Sequence, residues 1–369
     1  MAYIQEDLFK GKVLLVIGSR QVGKTTLIKE LLSKVPTDKK VRTLNLDNNV
    51  DRDLLSQDSF DALNRVFAND DFIFIDEAQR LSSVGIILKL LVDNYGKTKQ
   101  IIATGSSSLN LLDNTSEPLT GRKFTYHLYP LSLQEIYSDE FEMKKNLESN
   151  LLYGFYPDVV IQKSNEDKIR LLRELSASYL YKDILEFQDV RNPEVLAKLL
   201  QLLALRIGSE VSYSELASKL RIDYKTVERY VTLLEKSFVI YRLSAYSTNK
   251  RREVSKNKKI YFYDLGIRNT IIDNFNLPSM RTDMGALWEN FLVSERLKYR
   301  NYNKIYAKQY FWRTYDDSEI DLVEEHSGKL FGYEFKLTKN KGKIPVSWEK
   351  YKESEYKVIN GENLSGFVY

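Results

Sequence analysis

Residues 18–26 read Gly18-Ser19-Arg20-Gln21-Val22-Gly23-Lys24-Thr25-Thr26 and satisfy the spacing G-x-x-x-x-G-K-[ST]. That spacing suits the cradling of a polyphosphate. Glycines let the backbone come close to phosphate oxygens, with Ser19, Arg20, Gln21, Val22 and Thr26 completing the cradle. Lys24 supplies a point charge for the β- and γ-phosphates, and the Thr25 hydroxyl can ligate Mg²⁺. The flanking elements fit this chemistry. Val13-Leu14-Leu15-Val16-Ile17 is an apolar run expected of a strand buried on both faces of a parallel sheet. Residues 25–32 can start a helix whose N–H groups and dipole favour a polyphosphate. The pattern predicts binding of a nucleoside triphosphate.

Two further segments suit hydrolysis. Phe72-Ile73-Phe74-Ile75-Asp76-Glu77 is apolar until its two terminal carboxylates. Asp76 is expected to hold Mg²⁺ through water opposite Thr25, and Glu77 to orient or deprotonate the attacking water. Residues 100–107 form another strand, tipped with hydroxyls and expected between the phosphate-loop strand and the acidic strand. Either Ser106 or Ser107 can then sense the γ-phosphate. Arg122, in Leu-Thr-Gly-Arg, is either a charge-neutralising arginine, in its own subunit or a neighbour's, or one half of a salt bridge to a carboxylate such as Glu135. The intervening strand argues for the additional-strand ATPases. A GTPase would need Asn-Lys-x-Asp, and Asn249-Lys250-Arg251-Arg252 lacks the acid, so ATP is the expected nucleotide.

A second set of carboxylates lies near the other end. Glu319-Ile320-Asp321-Leu322-Val323 alternates as a half-buried strand does, and a turn leads into a strand containing Glu334-Phe335-Lys336. Residues i and i+2 of a strand share a face, so Glu334 and Lys336 point the same way, and Asp321 can lie beside Glu334. Two carboxylates can hold Mg²⁺ while a lysine orients water for attack on a phosphodiester.

Between these sites, residues 167–186 and 194–207 carry apolar residues at helical spacing. Ser212-Tyr213-Ser214-Glu215 is a capping-box pattern starting a short helix. Arg221-Ile222-Asp223 makes a turn, Tyr224–Lys236 a longer helix and residues 238–243 a strand. Helix, tight turn, helix, strand is the order of a winged helix-turn-helix. Val227, Tyr230, Val231 and Leu234 would form the buried stripe of its second helix. Tyr224, Lys225, Thr226 and Arg229 would face a DNA groove. Arg251, Arg252 and the run Lys256–Lys259 would flank a wing and neutralise phosphates. Residues 201–260 hold 13 basic and six acidic side chains in a chain of net charge +4, which points to a polyanionic partner. Winged helices also dock proteins, so both readings stand.

At 369 residues the chain predicts two or three domains. The absence of cysteine excludes disulfides and thiolate metal sites. Only His127 and His326 exist, which argues against a histidine zinc centre or a Ser-His-Asp triad. No signal-like start and no apolar run of about 20 residues occur, so a cytoplasmic protein without a membrane partner is expected.

The quoted motifs, together with Phe-Ile-Asp-Glu-Ala-Gln, Thr-Gly-Ser-Ser, Tyr-Pro-Leu-Ser-Leu-Gln-Glu and Leu287-Trp288-Glu289-Asn290-Phe291, resemble a broad family of prokaryotic AAA-type ATPases. The resemblance covers nearly the whole chain. It implies a carboxyl-terminal region combining a winged helix with a restriction-endonuclease-like fold, and it makes homo-oligomeric assembly plausible. That nuclease fold also places a glutamate on a preceding helix, where Glu289 matches, and it occurs in both cutting and inactive forms. The expected fold class is α/β. It comprises a P-loop NTPase domain with a parallel doubly wound sheet over 1–140, a helical region with a winged helix-turn-helix over 150–260, and a small α/β nuclease-like domain over 261–369.

Overall fold

A computed structural model describes residues 2–56, 59–106, 118–177, 190, 192–247, 258–314, 318–338 and 342–369. Ser107, Arg251, Arg252, Lys250 and Lys256 lie outside them, as do residues 178–186 of the expected middle helix. The chain divides into two compact units. One comprises Met1–Tyr129 with Lys236–Phe238, and the other Pro130–Glu235 with Val239–Tyr369.

The first unit is built on β1 (Val13–Ile17), β2 (Val41–Asn45), β3 (Phe72–Asp76), β4 (Gln100–Gly105) and β5 (Lys123–His127), in the order β2-β3-β4-β1-β5. All the pairings are parallel. Every residue of the three inner strands is buried, which explains why β1 and β3 read as unbroken apolar runs. Ile28 and Leu31, from the helix Lys24–Ser33, pack with Leu14, Val16, Phe74 and Ile102. As expected, β4 separates the phosphate-loop strand from the acidic strand.

The second unit contains helices and a seven-stranded mixed sheet. Its strands are β6 (Glu210–Val211), β7 (Ile240–Ala245), β8 (Lys258–Phe262), β9 (Lys308–Arg313), β10 (Glu319–His326), β11 (Lys329–Phe335) and β12 (Ser354–Ile359), in the order β12-β11-β10-β9-β7-β8-β6. Two helices precede β7. Tyr213–Leu220 is N-capped by Ser212, whose hydroxyl accepts from Glu215 N. Arg221 adopts a left-handed conformation at the helix end, and Asp223 accepts from Thr226 N at 2.8 Å to start Tyr224–Lys236. The predicted stripe Val227, Tyr230, Val231 and Leu234 is buried.

β7 pairs with β9 in parallel as well as with β8 in antiparallel, so the strands after the helix pair are part of the carboxyl-terminal sheet. The expected boundary near 260 therefore falls inside β8. Shared backbone hydrogen bonds, which no local sequence pattern encodes, join the two regions.

Candidate active site

The phosphate loop follows β1 and depends on glycine. A Cβ on Gly18 would stand 2.0 Å from Leu128 O, so no other residue fits without moving β5's continuation. Gly23 has φ +95° at the start of the helix Lys24–Ser33. Gln21 is also left-handed, while Ser19 and Val22 are buried, Arg20 is half-buried and Thr26 is exposed on the first helical turn. The Lys24 ammonium folds back into the loop, donating to Gly18 O at 3.0 Å and Ser19 O at 2.8 Å.

Asp76, at the end of β3, joins three elements. Its Oδ2 accepts from Thr25 Oγ1 at 2.9 Å, and its Oδ1 accepts from Thr104 Oγ1 on β4. The Thr25–Asp76 pair was legible in the sequence. Thr104 was not, although its place on the same strand as the candidate sensing hydroxyls was a usable signal. A hydroxyl and a carboxylate at this separation are hard oxygen donors suited to Mg²⁺ beside a nucleotide's own phosphates. Glu77 stands in the left-handed region, with φ 53° and ψ 42°, at the turn after β3. Gln79 donates to Glu77 Oε2 and, at 2.9 Å, to Ser106 Oγ at the buried tip of β4. Of the two candidate sensing hydroxyls, Ser106 thus contacts the Glu77 cluster, and Ser107 lies outside the described residues.

Arg122 is elsewhere. Its carbonyl accepts from Val13 N, at the amino-terminal end of β1, and its Nε donates to Asp93 Oδ1 at 2.5 Å. The five-residue strand β1 separates it from the loop, a distance of roughly 16 Å at about 3.3 Å per residue. The parallel register with β5 forces this placement, so Arg122 does not serve the phosphates of its own subunit. Its salt-bridge partner is Asp93 and not Glu135, whose carboxylate closes the capping box of Ser132.

In the second unit, Leu322 pairs with Tyr333, which sets Asp321 directly across from Glu334. Asp321 Oδ2 accepts from Phe335 N at 2.7 Å, and Glu334 Oε1 accepts from Lys336 Nζ at 2.6 Å. Glu334 Oε2 is buried with no protein partner. Burial, reinforced by Glu289 and Glu334, pushes the Asp321 carboxyl well above the usual carboxylate range. The bond to Glu334 lifts the Lys336 ammonium, against burial. Glu289, on the helix Met284–Tyr302, joins this cluster but is held firmly. Its Oε1 accepts from Lys259 Nζ at 2.9 Å and Tyr261 Oη at 2.6 Å, while its Oε2 lies against Gly208.

Lys259 corrects an expectation. Its side chain is 3% exposed and paired with Glu289 and Glu319, so it is not available to neutralise a nucleic-acid phosphate. Burial opposes its charge, but Glu289, Glu319 and Asp321 outweigh burial and raise its pKa. Lys259 and Tyr261 are two apart on β8 and share its inner face, a strand alternation that the basic run obscured. Lys258 Nζ bonds Ser244 Oγ at 3.1 Å. Among the described residues, no group of three or more His, Cys, Asp or Glu side chains is arranged to hold a metal ion.

On the helix Tyr224–Lys236, Tyr224, Lys225 and Arg229 are exposed. Thr226 is half-buried, and its hydroxyl donates to Asp223 Oδ2 at 2.6 Å, so it serves the helix start. No helix among the described residues is long and apolar enough to cross a membrane.

Comparison with known proteins bears directly on the loop and its acidic strand. Residues 10–137 match the family model described as AAA domain. The match spans the phosphate loop and the acidic strand and supports an AAA-type nucleotide-binding domain in the first unit. Residues 144–277 and 284–362 match two models described as domains of unknown function, DUF8612 and DUF4143. An uncharacterized protein of Mycobacterium tuberculosis is 28% identical over 340 residues, spanning 91% of this chain and 73% of the relative. One from Methanocaldococcus jannaschii is 26% identical over 332 residues, spanning 79% and 68%. Among solved structures, Drosophila ORC bound to AT-rich DNA and Cdc6 matches with TM-score 0.27 and 12% identity, covering 74% of this chain and 89% of that one. C. elegans PCH-2 matches with TM-score 0.26 and 16% identity, covering 60% and 61%. At such TM-scores neither overlay bears on fold or function.

Proposed function

We propose that the chain is a Mg²⁺-dependent ATP-hydrolysing switch whose nucleotide state governs engagement of DNA. The observation that carries the hydrolysis reading is the Asp76 junction, which ties the phosphate-loop helix, the acidic strand and β4 into one site. Mg²⁺ held by Thr25 and, through water, Asp76 would offset charge on the β- and γ-phosphates. Lys24 exchanges its loop carbonyls for phosphate oxygens. Glu77 accepts the proton of the attacking water as the bond between the γ-phosphorus and the β–γ bridging oxygen breaks and ADP leaves.

The DNA reading rests on the second unit. Tyr224, Lys225 and Arg229 form the open face of a helix in winged helix-turn-helix order, in a segment rich in basic residues. β7 and β8 follow that helix and belong to the sheet bearing Asp321, Glu334 and Lys336, so a duplex held by the helix would be connected to those carboxylates through rigid backbone. The partnerless Glu334 oxygen suits a divalent cation shared with Asp321.

A second reading has its own observation. Lys259 supplies a permanent ammonium to the cluster and fixes Glu289, which favours a nuclease-like fold retained as a DNA or protein platform. In that case the ATPase gates association, and the chain is a regulatory or defence scaffold. The test is incubation of wild type and Lys336→Ala with single-stranded, linear and supercoiled DNA in Mg²⁺ or Mn²⁺, with and without ATP. Cutting by wild type, reduced by about 10²-fold or more in the variant, supports nuclease action. No cutting by a protein that still hydrolyses ATP supports the platform.

A further inference from the structure

Gln79 lies two residues beyond Glu77, and the mechanism above gives it no role. Its amide nitrogen donates to Glu77 Oε2 and, at 2.9 Å, to Ser106 Oγ, which uses both of its N–H groups. A carboxylate oxygen accepts, so the amide nitrogen and not the carbonyl is the end of Gln79 bonded to Glu77. That carbonyl oxygen, Oε1, is buried and has no protein donor. Buried acceptors without a donor are uncommon in folded chains and point to a water or ligand atom that completes them. Glu77 holds a left-handed conformation that few residues adopt, and the turn it makes brings the Gln79 amide onto its carboxylate.

We propose that Gln79 Oε1 and the Glu77 carboxylate together hold the attacking water of ATP hydrolysis, with Ser106 fixing the plane of the Gln79 amide. This deepens the hydrolysis reading and rests on it. A water has two O–H groups. One donates to Glu77, which takes that proton during attack, and the other donates to Gln79 Oε1. With both occupied, the oxygen lone pair is free to form the bond to the γ-phosphorus while the bond to the β–γ bridging oxygen breaks and its electron pair leaves on ADP. Gln79 neither gains nor loses a proton, so its contribution is orientation.

The test uses the full chain as wild type, Gln79→Leu, Gln79→Ala and Glu77→Gln. Affinity for a fluorescent ATP analogue, kcat, KM and Tm are measured for each. Gln79→Leu keeps the approximate shape and removes every hydrogen bond, and Gln79→Ala guards against a packing fault in the leucine variant. The expected result is a fall in kcat of about 10²-fold in both, with KM and nucleotide Kd within about threefold of wild type. Unchanged kcat in both Gln79 variants, with Glu77→Gln inactive, would overturn the assignment while leaving the hydrolysis reading intact. A fall in kcat that merely tracks lost nucleotide affinity or lowered Tm would also overturn it, by making Gln79 structural. If the wild-type chain binds nucleotide and does not turn it over, the hydrolysis reading falls and this one with it.

Discussion

Glu77→Gln is expected to bind ATP as tightly as the wild-type chain and to turn it over about 10²–10⁴-fold more slowly, the range a positioned general base contributes. The substitution keeps the shape and removes the proton acceptor. It leaves the hydrogen bonds that Thr25 and Thr104 donate to the Asp76 carboxylate undisturbed. Gln79 can still donate to the new side-chain carbonyl, so the turn after β3 should hold. The check is single-turnover hydrolysis alongside equilibrium binding of a fluorescent nucleotide. Wild-type turnover in this variant would remove Glu77 from its assigned place and direct attention to another base.

Lys24→Ala should lose nucleotide affinity by about 10- to 100-fold. A charge-assisted hydrogen bond to phosphate contributes about 1.5–3 kcal/mol net, which is roughly 10–100-fold. The phosphate loop is also affected. Lys24 is 5% exposed, and its ammonium donates to Gly18 O and Ser19 O, so its removal leaves those carbonyls without that donor. Isothermal titration with ATP and ADP checks both parts. ATP should suffer more than ADP, because the lysine charge serves the β- and γ-phosphates together. Equal affinity of variant and wild type for ATP would contradict the loop's assigned chemistry.

The ATP site was legible because its chemistry is local and its framework periodic. Gly18 to Thr25 form one loop, and β1, β3 and β4 are buried along their whole length, so each reads as an apolar run. Even the Thr25–Asp76 contact, between residues 51 apart, follows from strand order. For Arg122 the sequence left a phosphate role and a salt bridge open, and the bridge is formed, with Asp93 in place of Glu135, because the parallel register of β5 with β1 places Leu-Thr-Gly-Arg at the far end of the sheet. Lys259 was misread because a run of lysines looks like a solvated face, whereas strand alternation turns one of them inward onto Glu289 and Glu319. Gln79 is exposed as a site residue only by its carbonyl, an atom whose isolation no sequence pattern reports. The union of β7 with β9 is likewise a product of long-range pairing, which joins strands on either side of residue 260 in one sheet.

The most direct measurement is the affinity of the chain for duplex DNA in two nucleotide states, by fluorescence anisotropy, at salt concentrations from about 50 to 200 mM. Glu77→Gln with ATP and Mg²⁺ represents the triphosphate state, the nucleotide-free wild type the other, and Arg229→Ala is measured beside them. An ATP-governed DNA switch predicts a difference of about tenfold or more between the two states, worth about 1.4 kcal/mol of coupling. It also predicts a steep fall in affinity with salt, and for Arg229→Ala a salt slope smaller by about one. Weak binding that ignores nucleotide, salt and Arg229 alike would contradict the account and leave the chain an ATPase that acts on a protein partner.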